Sequence, residues 1–445
     1  MAQGRYPTKC SPIKLRLLSP YYPMNLLAKI KNIQLPRALR SRNYRLFFAG
    51  QGISLIGSWM TQVATIWLVY NLSDSPWMLG VVGFTSQIPT LILLPFAGVL
   101  IDRWNRHRVL IITQILAMIQ SLTLAFLALT GIINIWQIII LSLCQGAINA
   151  FDAPARQAFV PELVEKKEDL AQAIAINASM FNGARLIGPA IAGLLIATVG
   201  PSYCFLIDGL SYIAVIVGLL AMQIKPRKIA ATNTKPLQRL KEGFVYSFGF
   251  PPIRAILLLL ALVSFAGMSH TVLVPIFATK ILNGGAQTLG FLMAASGVGA
   301  FAGAIYLIGR KSVIGLGKLI AISPAVMGFG LIGFGLSKVL WFSLIMMLFV
   351  GFGFIIQFAA GNTFLQTIVD DEKRGRVMSI YTMAFFGITP FGNLVAGGLA
   401  NYIGAPNTVV IGGIICILAS AFFTKQLPAL KNLVTPIYQK MGLIS

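Results

Sequence analysis

Along the chain, long apolar runs alternate with short segments rich in charge or in Gly, Pro and Asn. Crossing roughly 30 Å of hydrocarbon takes about 20 apolar residues in a helix. Twelve runs of that order stand out, near 46–70, 78–101, 109–131, 134–153, 170–198, 203–223, 253–280, 287–309, 315–336, 340–363, 376–401 and 405–424. No water satisfies backbone groups inside lipid, so each run is expected to be a helix. The pattern therefore predicts an all-α membrane protein with twelve transmembrane helices.

The connections add orientation. IDRWNRHR at 101–108, the 225–254 segment and the Arg310, Lys311, Lys318 group are basic, whereas the alternate connections hold only Lys280 and Lys338. Retention of Lys and Arg on the inner side places both termini in the cytoplasm. The halves also echo each other. QAFVPELVEKKED at 157–169 answers NTFLQTIVDDEKR at 362–374, GPAIAG at 188–193 answers GNLVAG at 392–397, and LGVV at 79–82 answers LGFL at 289–292. The expected organisation is a basic segment 1–45, a six-helix half 46–224, a cytoplasmic linker 225–252, a pseudo-symmetric six-helix half 253–426 and a tail 427–445.

Composition changes this picture little. The 57% hydrophobic content and mean hydropathy of +0.81 require a lipid cover. The net charge of +23 falls between the apolar runs, with no single basic, aromatic-interleaved patch, so it reads as topology and not as nucleic-acid binding. Residues 1–45 carry ten Lys and Arg and no acid but no cleavable-leader pattern; translation starts at Met1 or Met24. Cys10, Cys144, Cys204 and Cys416 form no CxxC pair, and no metal site or cofactor is indicated. No Walker loop, HExxH or nucleophile elbow occurs, which leaves neither an ATP-driven pump nor an enzyme a motif to rest on.

AGVLIDRWNRHRVL at 97–110 resembles the loop between helices two and three of the major facilitator superfamily through Gly98, Asp102, Arg103 and Arg106, with Asn105 where that pattern carries a second glycine. NASMFNGARLIGPAIAGLLIATVG at 177–200 resembles the antiporter motif of helix five through Gly188, Pro189 and Gly193, with Ala184 and Ala192 departing from it. With NYRLFFAG at 43–50 and FDAPARQAFVPELV at 151–164, the chain looks most like the enterobactin-exporter and macrolide-efflux branch. The resemblance implies a major facilitator fold in the cell inner membrane and efflux of a small organic molecule in exchange for protons. It also implies that the 97–110 loop latches, through Asp102, onto the start of helix eleven, and that helices one, four, seven and ten line a cavity. Nutrient uptake, a lipid or lysolipid flippase and a non-transporting scaffold or sensor stay open as alternatives, and a monomer is expected.

Ionisable groups inside spans are costly and point to function. Arg185, Asp208 and His270 are the coupling candidates. Arg185 is too deep to snorkel and needs an aqueous cavity or a carboxylate; an ion pair with Asp208 would bridge depths roughly 10 Å apart. His270 titrates near 6.5 in water. Asp74 and Asp152 read as helix-end groups. Polar residues at helical spacing, Gln51, Ser54, Ser58 and Gln62 in span one, Gln145 and Asn149 in span four, and Gln357 and Asn362 in span ten, are the candidate cargo contacts, with Trp59, Trp67, Phe265, Phe352, Phe358 and Phe385 supplying aromatic wall. Trp77, Trp136 and Trp341 read as interfacial anchors.

Overall fold

The computed structural model describes residues 37–164, 166–224, 236–310 and 312–440. The expected segment 1–36, the linker stretch 225–235, residues 441–445 and the Asp102 side chain lie outside the described residues.

Among these residues twelve helices are long and apolar enough to cross a bilayer. Spans one to twelve are Arg42–Ser73, Pro76–Leu94, Arg106–Leu129, Ile135–Leu163, Leu170–Thr198, Ser202–Leu220, Pro251–Val272, Ala286–Ile308, Leu316–Leu336, Leu340–Ile368, Glu372–Ile403 and Ala405–Gln439. Several run past their apolar stretch, because leaving hydrocarbon does not end helical hydrogen bonding. Span four continues through Pro154 and Pro161, and the last helix passes Pro428 and Pro436 to Lys440, so much of the expected tail is helical. Trp77, Trp136 and Trp341 sit exposed near span ends.

Three spans are broken, each next to a proline that cannot donate to the preceding turn. The helix of span two stops at Thr85 and restarts at Ile88 before Pro89; that of span eleven stops at Phe386 and restarts at Thr389 before Pro390. Span seven becomes a 3-10 turn at Met268–Val272, then a π turn at Phe277–Ile281 after Pro275.

The internal echoes of the sequence meet in space. A Cβ added to Gly290 would lie 2.8 Å from Gly193 Cα, and one added to Gly80 would lie 3.0 Å from Gly397 Cα. Span five thus crosses span eight, and span two crosses span eleven, at one glycine pair each. Only small residues let helix backbones approach this closely. On the same two helices but toward the ends at 103 and 170, Gly98 and Gly183 have nothing within 4 Å of an added Cβ. Among the described residues Gly98 therefore makes no close helix approach in this conformation.

The end of the molecule near residues 74 and 280 is also tied by side chains. Asp74, in the left-handed region at φ 45°, closes span one with its N–H on the Tyr70 carbonyl. Its carboxylate receives Lys280 Nζ at 2.8 Å, and the ammonium lies 5.8 Å from the Tyr70 ring centre. Thr279 Oγ1 donates to the Tyr70 hydroxyl at 3.2 Å. The two halves close against each other here.

At the opposite end Asn105 caps span three, its side chain accepting from Arg108 N, which accounts for an asparagine where the resembled loop has glycine. Arg106 bonds the Ala158 carbonyl and Glu162, both at 2.9 Å, and so ties span three to the end of span four. The linker is not merely polar: Pro236–Gly249 is a helix. It docks on the start of span eleven through Glu242 to Arg376 at 3.0 Å and Tyr246 under Lys373 at 4.4 Å.

Candidate functional site

Span five carries Arg185 on the face that turns toward both halves. Its guanidinium carbon lies 4.9 Å from the ring centre of Phe354 in span ten and 5.8 Å from that of Trp59 in span one. Cations within about 6 Å of an aromatic face are attracted by the ring quadrupole. Arg185 is deep in the protein yet keeps accessible surface. It stands eight residues, about 12 Å of helix, from the glycine crossing at Gly193. Gly188, between them, seats its face on Ile56 and Trp59 of span one, with Ile56 O 3.1 Å from an added Cβ.

Aromatic side chains continue from this point. Trp59 meets Phe181 edge-on at 5.9 Å, Phe354 meets Phe385 at 5.6 Å, and Phe385 meets Phe358 at 5.0 Å. Spans one and five thus face spans ten and eleven across rings, with one guanidinium between them. Phe352, two positions from Phe354 and so on nearly the opposite face, pairs instead with Tyr306 of span eight at 6.3 Å.

The ion pair between Arg185 and Asp208 is not formed. Asp208 is buried in the first half, where Thr61 donates at 2.9 Å, Ser121 at 3.0 Å and Ser58 at 3.4 Å. Among the described residues no carboxylate or hydrogen-bond acceptor reaches the Arg185 guanidinium. His270 is buried in the 3-10 turn of span seven with Nδ1 2.6 Å from the Gly267 carbonyl.

The polar stripe of span one divides between two neighbours. Gln51 Oε1 accepts from Arg156 of span four at 3.0 Å, whereas Ser58 turns to Asp208 and to the Tyr212 hydroxyl at 3.3 Å. Ser54 is buried, and Gln62 is the exposed member. A polar stripe at this spacing serves helix contacts as readily as a cavity. In span four Gln145 donates to Asn149 at 3.0 Å and both keep accessible surface. Gln357 is buried and accepts from Ser323 of span nine at 2.8 Å, so it faces a neighbouring helix; Asn362 accepts from Gln366 at 2.6 Å.

Sequence reading missed a second buried acid. Asp152, expected as a helix-end group, accepts from Gln114 at 2.8 Å and Thr113 at 3.1 Å and pairs with Arg156 at 3.0 Å. The signal was the four-residue spacing of Asp152 and Arg156, hidden because the apolar run ends between them, at 153. Phe354 and Phe181 were missed because nothing in a phenylalanine's sequence context tells a cavity-facing ring from a lipid-facing one.

Twelve helices in two pseudo-symmetric six-helix halves with a site between them define a major facilitator transporter. The chain belongs to the transmembrane secretion effector family of that superfamily, whose model matches residues 36–438. It is 28% identical over 399 residues to the staphyloferrin A transporter of Staphylococcus aureus (strain NCTC 8325 / PS 47), covering 87% of this chain and 97% of that protein. It is 26% identical over 358 residues to the enterobactin exporter EntS of Escherichia coli O81 (strain ED1a), covering 80% and 85%. It is 24% identical over 390 residues to macrolide efflux protein A of Streptococcus pyogenes, covering 84% and 95%. The fold and the branch that the sequence resembles are thus the ones found.

Proposed function

We propose that the protein is a proton-coupled exporter of small organic molecules, of the siderophore or macrolide kind, acting by alternating access in the cell inner membrane with both termini cytoplasmic. The observation that carries this reading is the ring-lined site around Arg185, built by both halves just inside the closed glycine crossings. The names of two relatives, an enterobactin exporter and a macrolide efflux protein, support export, and the third is that of a siderophore transporter. On the basic-loop orientation, the closed end at Asp74 and Lys280 is external and the end with open space at Gly98 and Gly183 is cytoplasmic, where cargo for export would enter. The halves 46–224 and 253–426 then rock about the two crossings. The 97–110 loop, through Asp102, latches the outward-facing state.

Asp208 is the proton carrier in this reading. Its three partners are hydroxyls, which can donate to a carboxylate or turn to accept from a carboxylic acid. Asp152 is surrounded differently: beside the Thr113 hydroxyl and the Gln114 amide it has the Arg156 guanidinium, which only donates and favours the ionised form. Asp208→Asn is therefore expected to uncouple flux from the proton gradient, and Asp152→Asn to destabilise the fold; a proton-driven Asp208→Asn protein would remove the assignment.

The functional test is export from cells overproducing the protein, with siderophores, macrolides and dyes compared in the presence and absence of a protonophore. Protonophore-sensitive extrusion of one of them is expected. Extrusion of none, or net uptake, would sink the exporter reading.

A further inference from the structure

A cation inside a transmembrane bundle is costly, and such residues are almost always paired. Arg185 departs from that rule. Its five N–H donors find no acceptor among the described residues, and the buried acids on its side of the molecule are engaged elsewhere: Asp208 by three hydroxyls and Asp152 by Arg156 and Gln114. His270, buried in span seven, offers no negative charge. What Arg185 has instead is two ring faces, Trp59 from one half and Phe354 from the other. These offset part of the desolvation but leave the planar fork of N–H groups open.

An uncompensated guanidinium between rings is half of a binding site. The missing half is a group that accepts in the plane of the fork while a flat or apolar body lies along Trp59, Phe354, Phe358 and Phe385. Carboxylates have that bidentate geometry, and amines are repelled. We infer that Arg185 is the anchor of an anion subsite, and that the cargo of this protein is an organic acid carrying a carboxylate next to a flat, apolar or aromatic body, not an organic cation. The word cargo rests on the exporter reading above; the anion subsite rests on geometry alone.

Because Trp59 and Phe354 belong to opposite halves, a carboxylate seated on Arg185 would also bridge the surfaces that must part during transport. The subsite thus both selects its ligand and places it where the halves meet.

The test is equilibrium binding to the full-length protein in detergent, with no gradient present. Three probes of one shape are titrated by calorimetry: 2-naphthoate, its methyl ester and 2-naphthylmethylamine. Naphthoate is expected to bind at least about ten-fold more tightly than either other probe, the scale of one charge-assisted contact. Arg185→Gln should level the series, Arg185→Lys should restore its order in weaker form, and Phe354→Leu should weaken all three probes together. A lysine variant that elutes as wild type in gel filtration shows that the fold survives changes at this position. Equal binding of acid and ester, tighter binding of the amine, no binding of the acid, or an acid preference that persists in Arg185→Gln would each overturn the proposal. An acid preference without export of any compound would sink the exporter reading alone, and export without an acid preference would sink this one alone.

Discussion

The glycine crossing of spans five and eight and that of spans two and eleven are the same device used twice. Gly193 meets Gly290 as Gly397 meets Gly80, and on the two helices Gly188 presses on span one as Gly392 presses on span seven at Phe265. Eight positions before Gly193 stands Arg185; eight before Gly397 stands Thr389, buried and bonded across the break in span eleven to the Phe385 carbonyl at 2.7 Å. The packing is symmetric and the chemistry is not. Packing therefore accounts for the repeated glycines, and only a demand outside packing accounts for a guanidinium at one of two equivalent places.

That division can be broken at the shared part first. Gly290→Val and Gly80→Val each force a branched side chain into a backbone contact, and each should cost about 1–3 kcal/mol by the scale of overpacked interiors. Thermal unfolding in detergent should show comparable losses for both, and a large loss at one crossing with none at the other would deny their equivalence.

The open space at Gly98 gives the opposite sign. Gly98 lies inside a helix with open space around it, so Gly98→Ala should raise stability by about 0.5–1 kcal/mol through the entropy of the unfolded chain. If the same variant slows flux, span two closes at Gly98 in the other state; unchanged flux with raised stability would leave that glycine outside the cycle.

The smallest effect belongs to the pair of Asp74 and Lys280. The hydrogen bond from Lys280 holds the Asp74 carboxyl below its ordinary pKa, and the same bond raises Lys280 above its own. The contribution of Asp74 is present above the ordinary carboxylate value near 3.9 and is lost as pH falls through the lowered one. That of Lys280 is present below about 10.4 and is lost as pH rises through the raised one. Closure of this end should therefore be flat in pH from about 5 to 9, as measured by the distance between spin labels on spans one and seven. Both side chains are more than half exposed, so salt should weaken the pair, and a step near neutral pH would assign closure to another group.

Much of the fold was legible in the sequence because lipid imposes one rule on every span. The echoes at 79–82, 188–193, 289–292 and 392–397 even marked the four glycines that meet, though not that they meet each other. The site was legible only in part. Arg185 stood out as a charge too deep to reach water, and Gly188 and Pro189 as a close approach. The partners of Arg185 were not visible, since rings at 352 and 354 differ only in the helix face they occupy. The polar stripe of span one is ambiguous for a related reason: hydrogen bonds between helices and contacts to a cavity place the same residues at the same spacing. Asp152 was obscured because a helix continued where hydropathy stopped.

The central claim is that cargo passes at Arg185 and not at its packing equivalent. It is tested most directly in proteoliposomes bearing a proton gradient, by comparing flux of the cargo identified in cells for Arg185→Gln and Thr389→Gln. Flux is expected to fall by roughly ten- to a hundred-fold in the first, the scale of one or two charge-assisted contacts, and to stay within about two-fold of wild type in the second. Equal loss in both, or full flux in Arg185→Gln, would contradict the account.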